Sequence, residues 1–324
     1  MLLIADDKYV YPLLILLNSI SRHTTHFPII LLNIQNWSNS KPLLSTTNLN
    51  FIKSVAKNLN LILEVKELEV SSEINLGSLK TYGHISIAAY AKVIAMFGLA
   101  EESDANLLYL DPDILVLEGF EKIFEFDSKS STTLMARQTG GHDRFEQFWE
   151  RQIIQSSSEN SLIKDWYFNS GVLKFNPHLW QKMKFWISYT DLLAKVNEFK
   201  LEIVDQDLLN ALVLGNYDRL PTQYNCYPAE FIEGETKIIH FAGGRKPWHY
   251  RWRLSRLKLD SNSRKAMHLW RREEVMTLKL LKHGMNDGDF NYLLTLKSEI
   301  SKGFVFALMK LSPALEKLAI YLKR

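Results

Sequence analysis

An Asp-Pro-Asp sits inside an otherwise apolar run, NLLYLDPDILVL at residues 106–117, so that Asp111 and Asp113 stand where a buried strand would end. Carboxylates are costly to bury unless they are paired or bind a metal. Two hard oxygen ligands in one turn suit Mg²⁺ or Mn²⁺ shared with a substrate diphosphate. Pro112 fixes its own φ and restricts Asp111 before it, which holds the pair in one geometry. Taken alone, the pattern is equally that of a polar turn between two strands.

A second cluster is KIIHFAGGRKPW, residues 237–248. A short strand delivers His240 as a third ligand, Gly243 and Gly244 let backbone approach a phosphate, and Lys246 adds a compact positive charge. The competing reading of His240 is a satisfied core histidine; the glycine and lysine loop that follows it favours the functional one. Two further stretches, DWYFNSGVLKFN (165–176) and EIVDQDLLNALV (202–213), bring Asn169 and the group Asp205, Gln206 and Asp207. Aspartates at a helix start commonly act as N-caps, which accounts for one of the two. Two acids and an amide exceed what a cap needs and could grip sugar hydroxyls.

The elements that must position these groups read as an α/β fold. MLLIADD, FPIILLNI, NLILEVKELEV and NLLYLDPDILVL are strand-like; YVYPLLILLNSISRH and HISIAAYAKVIAMFGLA between them are helix-like. Strands separated by helical lengths imply a mostly parallel sheet with flanking crossover helices, whose ligands gather at the carboxyl ends of the strands. Beyond residue 120, TTLMARQ and SGVLKF read as strands, and HLWQKMKFWISYTDLLAKV and DQDLLNALVLG as helices. The last seventy or so residues lack sheet signals and read as a basic helical appendage.

With 324 residues, 46% of them hydrophobic, the chain can bury one large α/β core or two ordinary ones. A single cysteine, Cys226, makes no internal disulfide, and no run reaches the length of a spanning helix or a secretory signal; a cytoplasmic setting is expected. Charge is uneven: residues 245–324 hold 18 Lys/Arg against 7 Asp/Glu, leaving 21 basic and 29 acidic residues before them. In the closing KGFVFALMKLSPALEKLAIYLKR, Lys310, Lys317 and Arg324 share a helical face, with Lys302 nearby and Phe304, Phe306, Leu308, Leu311, Leu315 and Leu318 supplying apolar surface. Ser312 and Pro313 read as the start of a new helix. Such helices either lie on an anionic membrane surface or pack on the protein; the excess charge favours the membrane. Nucleic acid is not expected, since no binding module accompanies the charge.

The motifs IADDKY, HISIAAYAKV, YLDPDILV, FNSGVL, DQDLLN and HFAGGRKPW, in this order and spacing over residues 1–250, resemble glycosyltransferase family 8, the retaining enzymes of GT-A fold that include bacterial lipopolysaccharide galactosyl- and glucosyltransferases. The resemblance implies a GT-A catalytic domain at 1–250, Rossmann-like with a mostly parallel mixed sheet, and sets off 251–324 as the appendage. It implies Asp6 and Tyr9 on the uridine, Lys92 where the family usually has an arginine on donor phosphate and sugar, and Asp111, Asp113 and His240 on Mn²⁺. Gly243 and Lys246 would hold the diphosphate; Asn169, Asp205 and Gln206 would line the donor sugar. Lysine at 92 gives up the bidentate fork of arginine, and Lys8 replaces a polar neutral residue.

The expected activity is transfer of a hexose from a UDP-sugar to a saccharide or glycolipid acceptor, in lipopolysaccharide or other envelope glycan synthesis, on the inner face of the cell membrane. Gln206, the residue the family pattern places nearest the anomeric carbon, is a poor nucleophile, which favours a same-face route through an oxocarbenium-like state. Two alternatives are an idle nucleotide-sugar or glycan-binding scaffold of the same fold and a nucleotidyltransferase. The latter lacks its usual glycine-rich loop, since ADDKYVYP follows the first strand.

Overall fold

The computed structural model describes residues 1–24, 26–35, 41–69, 89–99, 105–126, 134–141, 145–146, 166–183, 185, 188, 191–192, 203–244, 246–249 and 259–309, the last ten of these by backbone alone. Three parallel strands, β1 (Leu2–Ile4), β2 (Ile29–Gln35) and β3 (Leu63–Glu69), open the chain, with helices α1 (Val10–Ser21) and α2 (Thr46–Asn58) between them. Helix α3 (Ala89–Gly98) leads into β4 (Leu107–Leu110), which pairs parallel to β1. Then follow β5 (Ile114–Val116), β6 (Leu134–Gln138), β7 (Phe168–Phe175), α4 (Pro177–Lys182), α5 (Val204–Val213), β8 (Asp218–Arg219) and β9 (Ile238–His240). Long helices α6 (Ser261–Gly284) and α7 (Asp287–Met309) close the described chain.

The seven-stranded sheet has the order β3-β2-β1-β4-β7-β6-β8, and β5 and β9 form a separate antiparallel pair. This is the expected α/β architecture: mixed and mostly parallel, with β7 antiparallel to both β4 and β6. The central strands β1, β4 and β7 are buried on both faces, which is why they read as continuous apolar runs, yet their side chains alternate between two cores. Leu3, Leu31, Leu108 and Leu110 face the side covered by α1, α2 and α6. Leu2, Ile4, Leu32 and Tyr109 face the side covered by α3, α4 and α5. The helix after β1 and the helix before β4 therefore lie on opposite faces, and the crevice at the carboxyl ends of β1 and β4 is the switch point where such sheets bind ligands.

Several expectations change in detail. The run NLLYLDPDILVL is two strands in two sheets, with Asp111-Pro112-Asp113 as the crossing. The polar stretch before β3 holds α2, capped by Ser45, whose hydroxyl accepts from Asn48 N–H. Helix α4 ends at Lys182 because Met183 turns to extended backbone (φ −63°, ψ 131°), well short of the long helix the sequence suggested. The helical character of the C-terminal region is as expected, and its described part is packed into the body. Ala266, Met267, Trp270, Leu281, Leu293 and Leu296 join the same core as β1 and α1. The basic tail helices, with Lys302, Lys310, Lys317 and Arg324, lie outside the residues whose side chains are described. Among the described residues no helix is long and apolar enough to cross a membrane.

Candidate metal and donor site

The site begins where β4 runs out. Asp111 N–H donates to Gly171 O of β7 at 2.9 Å, while Asp113 O accepts from Phe241 N–H at 3.0 Å, so the two aspartates are tied to different sheets. The β5–β9 register pairs Ile114 with His240 and so sets the imidazole beside Asp113. One ligand atom from each of Asp111, Asp113 and His240 lies within 4.8 Å of the others. His240 Nε2 is 3.4 Å from Asp113 Oδ1 and 3.7 Å from Asp111 Oδ2.

An amide relay fixes the imidazole. Asn169 Nδ2 donates to Gln206 Oε1 at 2.8 Å, which turns its Oδ1 towards Gly171 N–H (3.0 Å) and Asn225 Nδ2 (2.8 Å). Asn225 then presents its oxygen to His240 Nδ1 at 2.9 Å. An amide oxygen only accepts, so the network assigns a proton to Nδ1 and turns Nε2 towards the aspartates. Gly171 completes the arrangement: a Cβ there would lie 2.1 Å from His240 Cε1.

Two buried ammonium groups balance the carboxylates. Lys92 Nζ lies 2.6 Å from Asp205, 3.1 Å from Asp111 and 2.8 Å from Ser170 O, over the Tyr109 ring at 4.7 Å. Burial works against its charge, but Asp111 and Asp205 outweigh burial and raise its pKa. Lys246 pairs with Asp113 Oδ2 and donates to Phe241 O at 3.0 Å. Burial would push the Asp113 carboxyl up; Lys246 and His240 together outweigh it and hold the group well below the usual carboxylate range. Asp113 Oδ1, by contrast, is buried without a hydrogen-bond partner. A buried carboxylate oxygen without a hydrogen bond, beside an imidazole nitrogen and a second aspartate, is an arrangement that a divalent cation satisfies. The residues thus fit a hard or borderline metal with O, O, N ligation.

The remaining expected residues each have partners of their own. Asp205 Oδ2 accepts from Lys92 and from Ser170 Oγ (2.8 Å). Gln206 Oε1 takes Asn169 Nδ2 and Ser170 N–H (3.3 Å). Neither residue caps α5: the N-cap is Ile203, and Asp207 reaches back to its N–H at 3.1 Å while also accepting the Tyr167 hydroxyl. Asp6 Oδ1 accepts from the N–H groups of Lys8 (3.0 Å) and Tyr9 (3.1 Å), shaping the turn after β1. Tyr9 borders the centre; burial first, then the charges of Asp113, Asp6 and Asp111, push its phenol pKa up. Gly243 takes φ +81°, with open space where a Cβ would stand, so the conformation, not crowding, calls for glycine.

Sequence reasoning missed Asn225, Tyr109 and Gly171. Tyr109 donates to Asp111 Oδ1 at 2.6 Å. A glycine within the strand-like FNSGVLKF signals close approach by another group and could have identified Gly171. Nothing in the sequence around Asn225 announces its role.

The chain is 26% identical over 184 residues to general stress protein A of Bacillus subtilis (strain 168), covering 51% of this chain and 60% of that protein. It is 29% identical over 163 residues to a lipopolysaccharide 1,2-glucosyltransferase of Escherichia coli, covering 44% of each chain. The match thus spans about half the length of these curated relatives. The galactosyltransferase LgtC, solved with donor and acceptor sugar analogs, superposes with a TM-score of 0.59 at 20% identity, covering 85% of this chain and 95% of that one, and shows the fold to be GT-A. The model of glycosyl transferase family 8 matches residues 1–251, and the chain belongs to that family.

Proposed function

We propose that the protein is a metal-dependent retaining hexosyltransferase that takes its sugar from a UDP-sugar and serves envelope glycan synthesis. The observation that carries this reading is the cluster of Asp111, Asp113 and His240 ligand atoms within 4.8 Å of one another, with Asp113 Oδ1 buried without a hydrogen bond, at the switch-point crevice of a family 8 fold. Asp111, Asp113 and His240 would hold Mn²⁺ or Mg²⁺, which when bound supplies Lewis-acid stabilisation of charge developing on the leaving diphosphate.

The chain's own groups would act around it. Lys246 and the Gly243 turn hold the diphosphate; Asp6 and Tyr9 hold the uridine. Lys92, fixed between Asp111 and Asp205, keeps a positive charge at the donor phosphate and sugar without the fork of arginine. Asn169, Asp205 and Gln206 line the sugar. Each candidate nucleophile on the far face is already engaged: Asp205 by Lys92 and Ser170, Gln206 Oε1 by two donors, Asp207 by Tyr167 and Ile203. That supports same-face attack, the acceptor hydroxyl passing its proton to the departing phosphate. A covalent sugar adduct trapped on any of the three would sink this route.

The glucosyltransferase and galactosyltransferase among the similar proteins support a hexose donor and a saccharide or glycolipid acceptor. Charge alone supports presenting that acceptor at the cytoplasmic face of an anionic membrane through residues 251–324, peripherally attached. The test is release of UDP from a panel of UDP-hexoses with Mn²⁺ and with chelator, for the parent chain and Asp113→Ala. Metal-dependent release from one donor, lost in the variant, is the expected result. Tight UDP binding with no turnover of any donor, even with glycan acceptors added, would leave an idle scaffold instead.

A further inference from the structure

The turn that carries Asp6 and Tyr9 is tied by side-chain hydrogen bonds to the C-terminal helices. Asp7, between them, accepts three donors on Oδ1: Ser45 N–H at 2.9 Å, Ser45 Oγ at 3.1 Å and Asn48 Nδ2 at 2.7 Å. These come from the first turn of α2, whose positive dipole end also favours the carboxylate. A carboxylate cannot donate, so buried Asn48 must give Asp7 its nitrogen and turn its oxygen the other way. The Tyr292 hydroxyl of α7 donates to that oxygen at 2.8 Å. The Tyr292 ring is seated edge-on against Phe51, with centroids 5.2 Å apart. A second tie runs through ring contacts: Trp248 meets Tyr9 edge-on at 6.0 Å and Trp270 of α6 in a tilted pair at 5.7 Å.

We propose that Tyr292 is a positioning residue for donor binding: through Asn48 and Asp7 it holds the turn at residues 6–9 in the conformation that receives the nucleotide. The inference rests on the reading of Asp6 and Tyr9 as the uridine-holding pair. Removing the hydroxyl leaves the Asn48 oxygen buried without its donor, so the amide is no longer held in the orientation that offers Nδ2 to Asp7. Asp7 then loosens, and with it the turn. Helix α7 thereby sets affinity for a uridine diphosphate it does not touch, while the catalytic groups at Asp111, Asp113 and His240 stay in place.

The test uses the full chain with Mn²⁺ present, measuring the UDP dissociation constant by calorimetry, donor KM and kcat, and the melting temperature. Tyr292→Phe keeps the ring and deletes only the hydroxyl; UDP Kd and donor KM should rise about three- to tenfold with kcat unchanged. Asn48→Asp sets a second carboxylate against Asp7 and should raise Kd further. Lys297→Met removes an ion pair between the same helix and Glu274 (3.3 Å) without touching Asn48, and should lower the melting temperature with Kd unchanged. Unchanged Kd in both Tyr292→Phe and Asn48→Asp, or an equal rise in Lys297→Met, overturns the proposal. Tyr9→Ala separates the two levels: if it weakens UDP binding while Tyr292→Phe does not, only the positioning role fails. If neither alters UDP binding, the nucleotide-site reading fails with it.

Discussion

Two pairs of neighbouring acidic side chains are drawn in from solvent here, and they are treated oppositely. Glu273 and Glu274 lie where α6 crosses α1, and every oxygen has a counterpart: Asn18 at 2.5 Å and Arg22 for Glu273, Tyr11 (2.6 Å), Lys297 (3.3 Å) and, more distantly, Arg271 (3.9 Å) for Glu274. Asp111 and Asp113 lie where β4 gives way to β5, and there one buried oxygen makes no hydrogen bond, with the His240 imidazole 3.4 Å away. Saturated carboxylates fasten helices, and their removal costs stability. An unmatched one at a strand end is held ready for something that is not protein.

The comparison breaks most clearly at Asp113. Asp113→Asn preserves shape but removes the anionic oxygen; transferase activity should fall on the order of 10³-fold, with Mn²⁺ binding by calorimetry lost and the fold retained in circular dichroism. Gly171→Ala should cost on the order of 10²-fold in activity, because its Cβ displaces the His240 ring, and histidine resonances followed by NMR should lose their response to Mn²⁺. Asn225→Ala frees the imidazole to rotate and should weaken metal affinity about 10- to 100-fold, with activity recovering at raised Mn²⁺. Glu273→Ala addresses the other region: it strands buried Asn18 and should lower unfolding free energy by about 1–3 kcal/mol in urea titration, with kcat per folded molecule unaltered. If instead Glu273→Ala abolished catalysis while Asp113→Asn only destabilised the chain, the distinction between the two pairs would be reversed.

What the sequence made legible follows from periodicity and from chemistry concentrated in a few residues. The buried strands announced themselves as apolar runs, and Asp111-Pro112-Asp113 stood out because carboxylates there needed a reason. Helix α2 was illegible because its inward face is carried by Leu49, Phe51, Ile52, Val55 and Ala56 among polar residues, a weak signal beside the strands. The sheet change at Pro112 was hidden because both strands are equally apolar and only pairing with β9 separates them. Asn225 could not be read, since its role depends on two amides and an imidazole brought together from 169, 225 and 240. The packing of α6 on α1 was equally invisible: in sequence, Glu273 and Glu274 look like any solvated acidic pair on a charged helix.

The crossing at Pro112 carries a thermodynamic consequence. Asp111 is bonded to the seven-stranded sheet through Gly171 and Asp113 to the two-stranded one through Phe241. An ion held by these two side chains and His240 would link residues anchored in both sheets, and so would bind the folded chain in preference to the unfolded one. Free-ion concentration then enters the folding equilibrium by mass action, contributing about 2.7 kcal/mol at a hundredfold excess over its dissociation constant. With such an ion bound, heat denaturation would become a titration of the metal, and depletion of the metal would shorten the chain's lifetime as well as slow the proposed turnover.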